Sequence, residues 1–78
     1  MAHLIVNNEG DMERGLAYAL KLAKVPSSCK KMSITFATQG MMKVFITNLF
    51  EDFVENHIPS NNGLDLNMYV PTERDIDD

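Results

Sequence analysis

The chain has 78 residues and a mass of 8.8 kDa, with 45% apolar and 23% charged side chains, enough for one small domain and not two. A domain of this size buries only about 60% of the surface its unfolded chain exposes, so it calls for a staple; a single cysteine, Cys29, excludes an intramolecular disulfide, and the two histidines, His3 and His57, do not complete a zinc spacing with it. A net charge of −4 and a pI near 4.9 argue against a binder of the nucleic-acid backbone, which leaves a partner subunit as the remaining staple.

No stretch approaches the roughly 20 apolar residues of a membrane span. The N-terminal run Met1-Ala2-His3-Leu4-Ile5-Val6 lacks a basic region and meets Asn7-Asn8-Glu9 too soon for a signal peptide. A free cysteine without a secretion signal fits a reducing compartment, so a cytoplasmic location is expected, with no membrane and no nucleic acid as partner.

Leu4-Ile5-Val6 opens a strand that stops at the turn cluster Asn7-Asn8-Glu9-Gly10. The run is continuous rather than alternating, as expected for a strand covered on both faces. Over 11–24, Met12, Leu16, Ala19, Leu20 and Ala23 recur at helical spacing. Asp11 and Glu13 lie in the first turn of that helix and Lys21 and Lys24 in the last, in agreement with the macrodipole, and Pro26 ends it. Gly15 inside it costs about 1 kcal/mol against alanine and is read as a point of close helix-on-strand packing.

Residues 31–38 form the second strand, rich in β-branched and aromatic side chains up to Gln39-Gly40. The pair Lys30-Lys31 is read as a solvated strand entrance. Over 41–57 the helical period returns: Met42, Ile46, Leu49 and Phe53 make one stripe, and Met41, Val44, Phe45, Phe50 and Val54 widen it beyond one face. A surface helix needs a single apolar stripe, so this one is expected to be covered on two sides. Glu51, Asp52 and Glu55 supply its polar side. Pro59-Ser60-Asn61-Asn62-Gly63 is a loop, and 64–70 alternates as a half-exposed strand, the expected sheet edge, stopped by Pro71. The order is β-α-β-α-β, an α/β fold with a three-stranded, mainly parallel sheet and two packing helices, because both connections are long enough for a right-handed crossover. Residues 1–71 make the domain; 72–78 make an acidic tail read as solvated.

Ligands of open α/β sheets sit beyond the carboxyl ends of the strands, where helix N-termini point free N–H groups. That edge collects Asn8 and Gly10 from the first turn and Thr38, Gln39 and Gly40 from the second, the candidate ligand-binding residues; Thr38 or Gln39 is the expected helix cap. The same residue types also serve any strand-to-helix turn. Neither GxGxxG nor GxxxxGK[ST] is present. Cys29, the one candidate nucleophile, has only Lys30 and Lys31 nearby in sequence to lower its pKa and is read as a bystander. His57 ends a helix, where a cation suits the dipole, and His3 has no identifiable acid partner. The six methionines are read as core filler rather than metal ligands. No catalytic residue, metal or cofactor is therefore expected.

The strings 11–20, Asp11-Met12-Glu13-Arg14-Gly15-Leu16-Ala17-Tyr18-Ala19-Leu20, and 34–40, Ile34-Thr35-Phe36-Ala37-Thr38-Gln39-Gly40, together with the element order, resemble the DsrE/DsrF-like family of small sulfur-relay proteins over the first half of the chain. The resemblance implies a parallel-rich α/β sheet that assembles into dimers, trimers or larger rings. Some members of that family relay persulfide sulfur through a cysteine in a later loop; this chain has no cysteine after Cys29, and no catalytic residue carries over. Against that family the chain reads as abbreviated.

The function expected from these readings is that of a small, cytoplasmic, DsrE-like protein that oligomerises, as a dimer or trimer, and acts by interaction or small-ligand binding without catalysis. Its expected interface is Met41, Phe45, Ile46, Leu49, Phe50 and Phe53. Two alternatives stand beside it: a sulfur carrier that uses Cys29, and a small acidic inhibitor or adaptor, such as a viral one, bound to a larger host protein.

Overall fold

The computed structural model of the chain describes residues 2–26, 30–59 and 61–71; Cys29 and the acidic tail 72–78 lie outside them. Five elements follow one another: β1 (Ala2–Val6), α1 (Glu9–Lys24), β2 (Lys30–Phe36), α2 (Gln39–Glu55) and β3 (Leu64–Tyr69). The sheet is three-stranded and wholly parallel in the order β1-β2-β3, so the α/β fold and the edge position of β3 are as expected. Ala2 lies opposite Met32 and Val6 opposite Phe36, while Lys30 lies opposite Leu64 and Thr35 opposite Tyr69.

The element limits follow from capping. Asn8 Oδ1 accepts from the Asp11 N–H at 2.8 Å and Thr38 Oγ1 from the Met41 N–H at 3.1 Å, so the helices start at Glu9 and Gln39, two residues before the expected 11 and 41. Because Thr38 caps α2, β2 ends at Phe36 and not at 38. At its other end α2 stops at Glu55. His57 takes a left-handed φ of 59°, its N–H donates to Val54 O at 3.2 Å, and the Ile58 N–H donates to Phe53 O at 2.9 Å. That pair of bonds is a Schellman motif with His57 in the position usually given to glycine.

Both helices pack on one face of the sheet. Along each strand the side chains alternate, and Leu4, Val6, Met32, Ile34, Phe36, Leu64, Leu66 and Met68 turn toward α1 and α2. Two crossovers of one hand that add strands in one direction must lie on the same side. Phe36 and Phe45 meet edge to face at the centre of the core, with ring centroids 5.3 Å apart and planes at 82°. Gly15 is buried against Leu4 and Val6, as its expected packing role required.

Three expectations change. β1 is covered on one face only, since Ile5 is 59% exposed on the side away from the helices; a continuous run of three apolar residues does not establish burial on both. Within a single chain α2 is likewise covered on one side, and Phe50 and Val54 are 65% and 62% exposed. Lys30 is not solvated: it is 6% exposed, and its ammonium donates to Ala23 O at 3.1 Å and Val25 O at 2.8 Å, tying the last turn of α1 to the start of β2. Lys31, on the other face, is exposed as expected.

Candidate functional site

The carboxyl end of the sheet carries the residues expected to bind a ligand. Asn8, Gly10, Thr38, Gln39 and Gly40 do share that edge, at the starts of α1 and α2. The oxygens of Asn8 and Thr38 are engaged as helix caps, and neither glycine has a positive φ. Asp11 occupies the α1 terminus itself: its carboxylate accepts from the Asn7 N–H at 3.1 Å and pairs with Arg14. An anion approaching α1 therefore meets a carboxylate. The topology adds a second reason. A ligand crevice in an open sheet opens where the strand order reverses and the chain changes faces; in the order β1-β2-β3, with both helices on one face, there is no such reversal. The residues at this edge are accounted for by the folding of the two helices.

The scattered chemical groups are not brought together. His3 lies on the uncovered face of the sheet, its Nε2 3.2 Å from Thr35 Oγ1, and His57 caps the far end of α2. Among the described residues no group of three or more His, Cys, Asp or Glu is placed to hold a metal. No buried side-chain nitrogen or oxygen among them lacks a hydrogen-bond partner, so none is left aimed at a missing ligand. No helix among them is long and apolar enough to cross a membrane.

What the described surface does offer is an apolar flank along α2 and β3. Ile46, Leu49, Phe50 and Phe53 of α2 and Leu66 and Met68 of β3 line an open groove of about 190 Å³ with no charged group in it. Ile46, Phe50 and Val54, at i, i+4 and i+8, run as one exposed stripe beside it. On the far side of that stripe, Phe50 and Val54 border a depression shared with Glu51, Asp52 and Glu55. The other edge of the sheet differs: the hollow next to β1 is lined by Leu4, Arg14, Ala17, Tyr18 and Lys21, with two cations in it.

The six residues expected at an interface divide accordingly. Phe45 is fully buried in the core, and Leu49 is a buried core residue that forms the floor of the groove. Met41 and Phe53 are half-buried against the core, while Ile46 and Phe50 are exposed. Val54, Leu66 and Met68 complete the flank and lie outside those six. Val54 was visible as the third member of an i, i+4, i+8 series, whereas the strand residues depend on which side of β3 lies free.

Compared with protein-family models, with curated proteins and with solved structures, the chain gives no significant match.

Proposed function

We propose that this is a non-catalytic interaction protein that self-associates through the flank of α2 and β3. The observation that carries this reading is the exposed stripe Ile46, Phe50 and Val54, contiguous with a groove of uncharged, mostly apolar side chains. Burying one large apolar side chain contributes about 1.5–3 kcal/mol, and a two-fold contact counts each stripe twice. Assembly of this kind is also what the resemblance to the DsrE/DsrF-like family implies. It supplies the staple that the small domain lacks.

Sedimentation at micromolar concentration tests the reading. The wild-type chain is expected to run as a dimer or larger species. Phe50→Ser, which removes an exposed side chain and leaves the core intact, is expected to run as a folded monomer with unchanged circular dichroism. A wild-type chain that is monomeric and well folded overturns the proposal. An acidic adaptor is the competing reading, favoured by Glu51, Asp52 and Glu55 beside Phe50 and Val54. Association driven by those carboxylates weakens with salt, and association driven by the apolar stripe does not.

A further inference from the structure

We infer that two copies of the chain join edge to edge through antiparallel pairing of β3 with β3, with Leu66 on the two-fold axis, to make one continuous six-stranded sheet. The inference rests on the self-association proposed above and gives it a geometry.

The backbone phase of β3 is set by its bonds to β2. The Lys30 N–H donates to Gly63 O at 3.3 Å while Lys30 lies opposite Leu64. On the other side of β2, the Ala37 N–H donates to Val6 O at 3.0 Å, so even-numbered residues of β2 bond toward β3 and odd-numbered ones toward β1. In a parallel ladder of this phase Asp65, Asn67 and Tyr69 direct their N–H and C=O groups at β2. Leu64, Leu66 and Met68 direct theirs outward, where no strand among the described residues receives them; the Leu64 N–H donates instead to Asn62 Oδ1 at 2.9 Å. Edge strands are ordinarily blunted by charged side chains, lysine above all, by proline or by a bulge, and Asp65 is the one charge in β3. β3, Leu-Asp-Leu-Asn-Met-Tyr, has neither lysine nor proline, and its register with β2 runs unbroken from Leu64 to Tyr69.

Pairing the strand with its own copy selects one register. With Leu66 opposite the partner's Leu66, Leu64 falls opposite the partner's Met68, and the outward N–H and C=O groups of Leu66 and Met68 find bonds, while the Leu64 N–H exchanges Asn62 Oδ1 for the partner's Met68 carbonyl. Asp65 then faces the partner's Asn67, a carboxylate against an amide that can donate to it. Sliding two residues one way sets Asp65 against the partner's Asp65, which like-charge repulsion disfavours, and carries Met68 past the strand end. Sliding two residues the other way leaves Leu64 without a strand residue opposite. An axis perpendicular to the sheet keeps both α2 helices on the same face. Leu66 and Phe50 line the same groove, so that axis brings the two apolar flanks together and closes the groove.

Disulfide trapping in a Cys29→Ser background tests the register. Residues 65 and 67 of opposite copies form a non-hydrogen-bonded pair with Cα atoms about 4.5 Å apart, inside the range a disulfide spans. A mixture of Asp65→Cys and Asn67→Cys chains is expected to cross-link under mild oxidation, and neither variant alone is. Cross-linking of Asp65→Cys alone, or of Asn67→Cys alone, overturns the register. No cross-link in a mixture that still sediments as a dimer overturns the edge pairing but leaves self-association through α2 standing; a mixture and a wild-type chain that are both monomeric remove both. As a second measurement without cysteines, Asn67→Asp sets two carboxylate pairs in opposition and is expected to weaken the dimer about 2–30-fold. An unchanged dimerisation constant counts against the pairing.

Discussion

Lys30→Met is the substitution that most directly tests the account of the core. The ammonium of Lys30 reaches two carbonyls at the end of α1, Ala23 O and Val25 O, from a position only 6% exposed. Methionine has nearly the same length and keeps the packing of the stem, so the change isolates the polar head. Val25 is exposed and its carbonyl can turn to water, whereas Ala23 is buried and its carbonyl cannot. The net loss is then that of one buried hydrogen bond to a charged group, about 1.5–3 kcal/mol. For a chain of this size each kcal/mol moves the melting temperature by about 4–8 °C, so Tm is expected to fall by about 6–24 °C. Thermal and urea denaturation followed by circular dichroism measure it, at one fixed protein concentration because association raises apparent stability. Lys31→Met, on the exposed face one residue on, is the control and is expected to stay within about 0.5 kcal/mol of wild type. If the two substitutions cost the same, Lys30 does not tie α1 to the sheet and the assignment of its ammonium is wrong.

Gly15→Ala is expected to stabilise the domain by about 0.5–1 kcal/mol, because an added Cβ would meet Leu4 and Val6 at 3.9 Å, an ordinary contact, and helix propensity favours alanine; a lower urea midpoint would show that the helix sits closer to β1 than described. His57→Gly is expected to raise stability by about 1 kcal/mol by relieving the left-handed φ at the end of α2, and no gain in Tm would mean that the Schellman turn is not formed. Thr38→Ala removes the cap of α2 and is expected to cost about 1 kcal/mol, with Thr38→Ser recovering most of it; equal melting curves for both would deny the cap.

The order of elements was legible because the apolar period switches cleanly, from helical spacing at Met12, Leu16 and Ala19 to β-branched and aromatic density at Ile34, Thr35 and Phe36. Element ends were less so. Periodicity marks where side chains begin to be buried, at Met12 and Met42, while capping by Asn8 and Thr38 marks where the backbone begins to turn, three residues earlier at Glu9 and Gln39. The burial of Lys30 was hidden because a lysine pair at a strand entrance has the composition of a solvated edge. Only the alternation of β2, which sends Lys30 inward and Lys31 outward, separates them. The strand order was not legible either, and with it went the face: a sheet covered by helices on both sides and one covered on a single side need the same string of elements. That is why Ile5 was expected inside and lies outside, and why Asn8, Gly10, Thr38, Gln39 and Gly40 resembled a ligand edge that the unreversed strand order does not open.

A one-sided sheet leaves two large surfaces uncovered, and their chemistry separates them. The face away from the helices carries rows of His3, Ser33 and Asn67 and of Ile5, Thr35 and Tyr69, mostly polar, with Ser33 buried among its neighbours and His3 in contact with Thr35. Parallel strands are usually covered on both faces, yet a face of this composition loses little by meeting water. The α2 and β3 flank loses more, since Phe50, Val54 and Ile46 gain nothing from solvent. If a partner subunit is seated there, folding and assembly share one free energy, and Tm must depend on protein concentration. Each tenfold rise in concentration is expected to raise the apparent stability of a dimer by about 1.4 kcal/mol of dimer. Phe50→Ser is expected to flatten that dependence at the same time as it lowers Tm, whereas Ile5→Ser, on the polar face, is expected to leave the slope unchanged. A wild-type Tm that is the same at every concentration would mean that the exposed stripe of α2 is tolerated by the monomer, and the link between small size and a partner at this flank would fail.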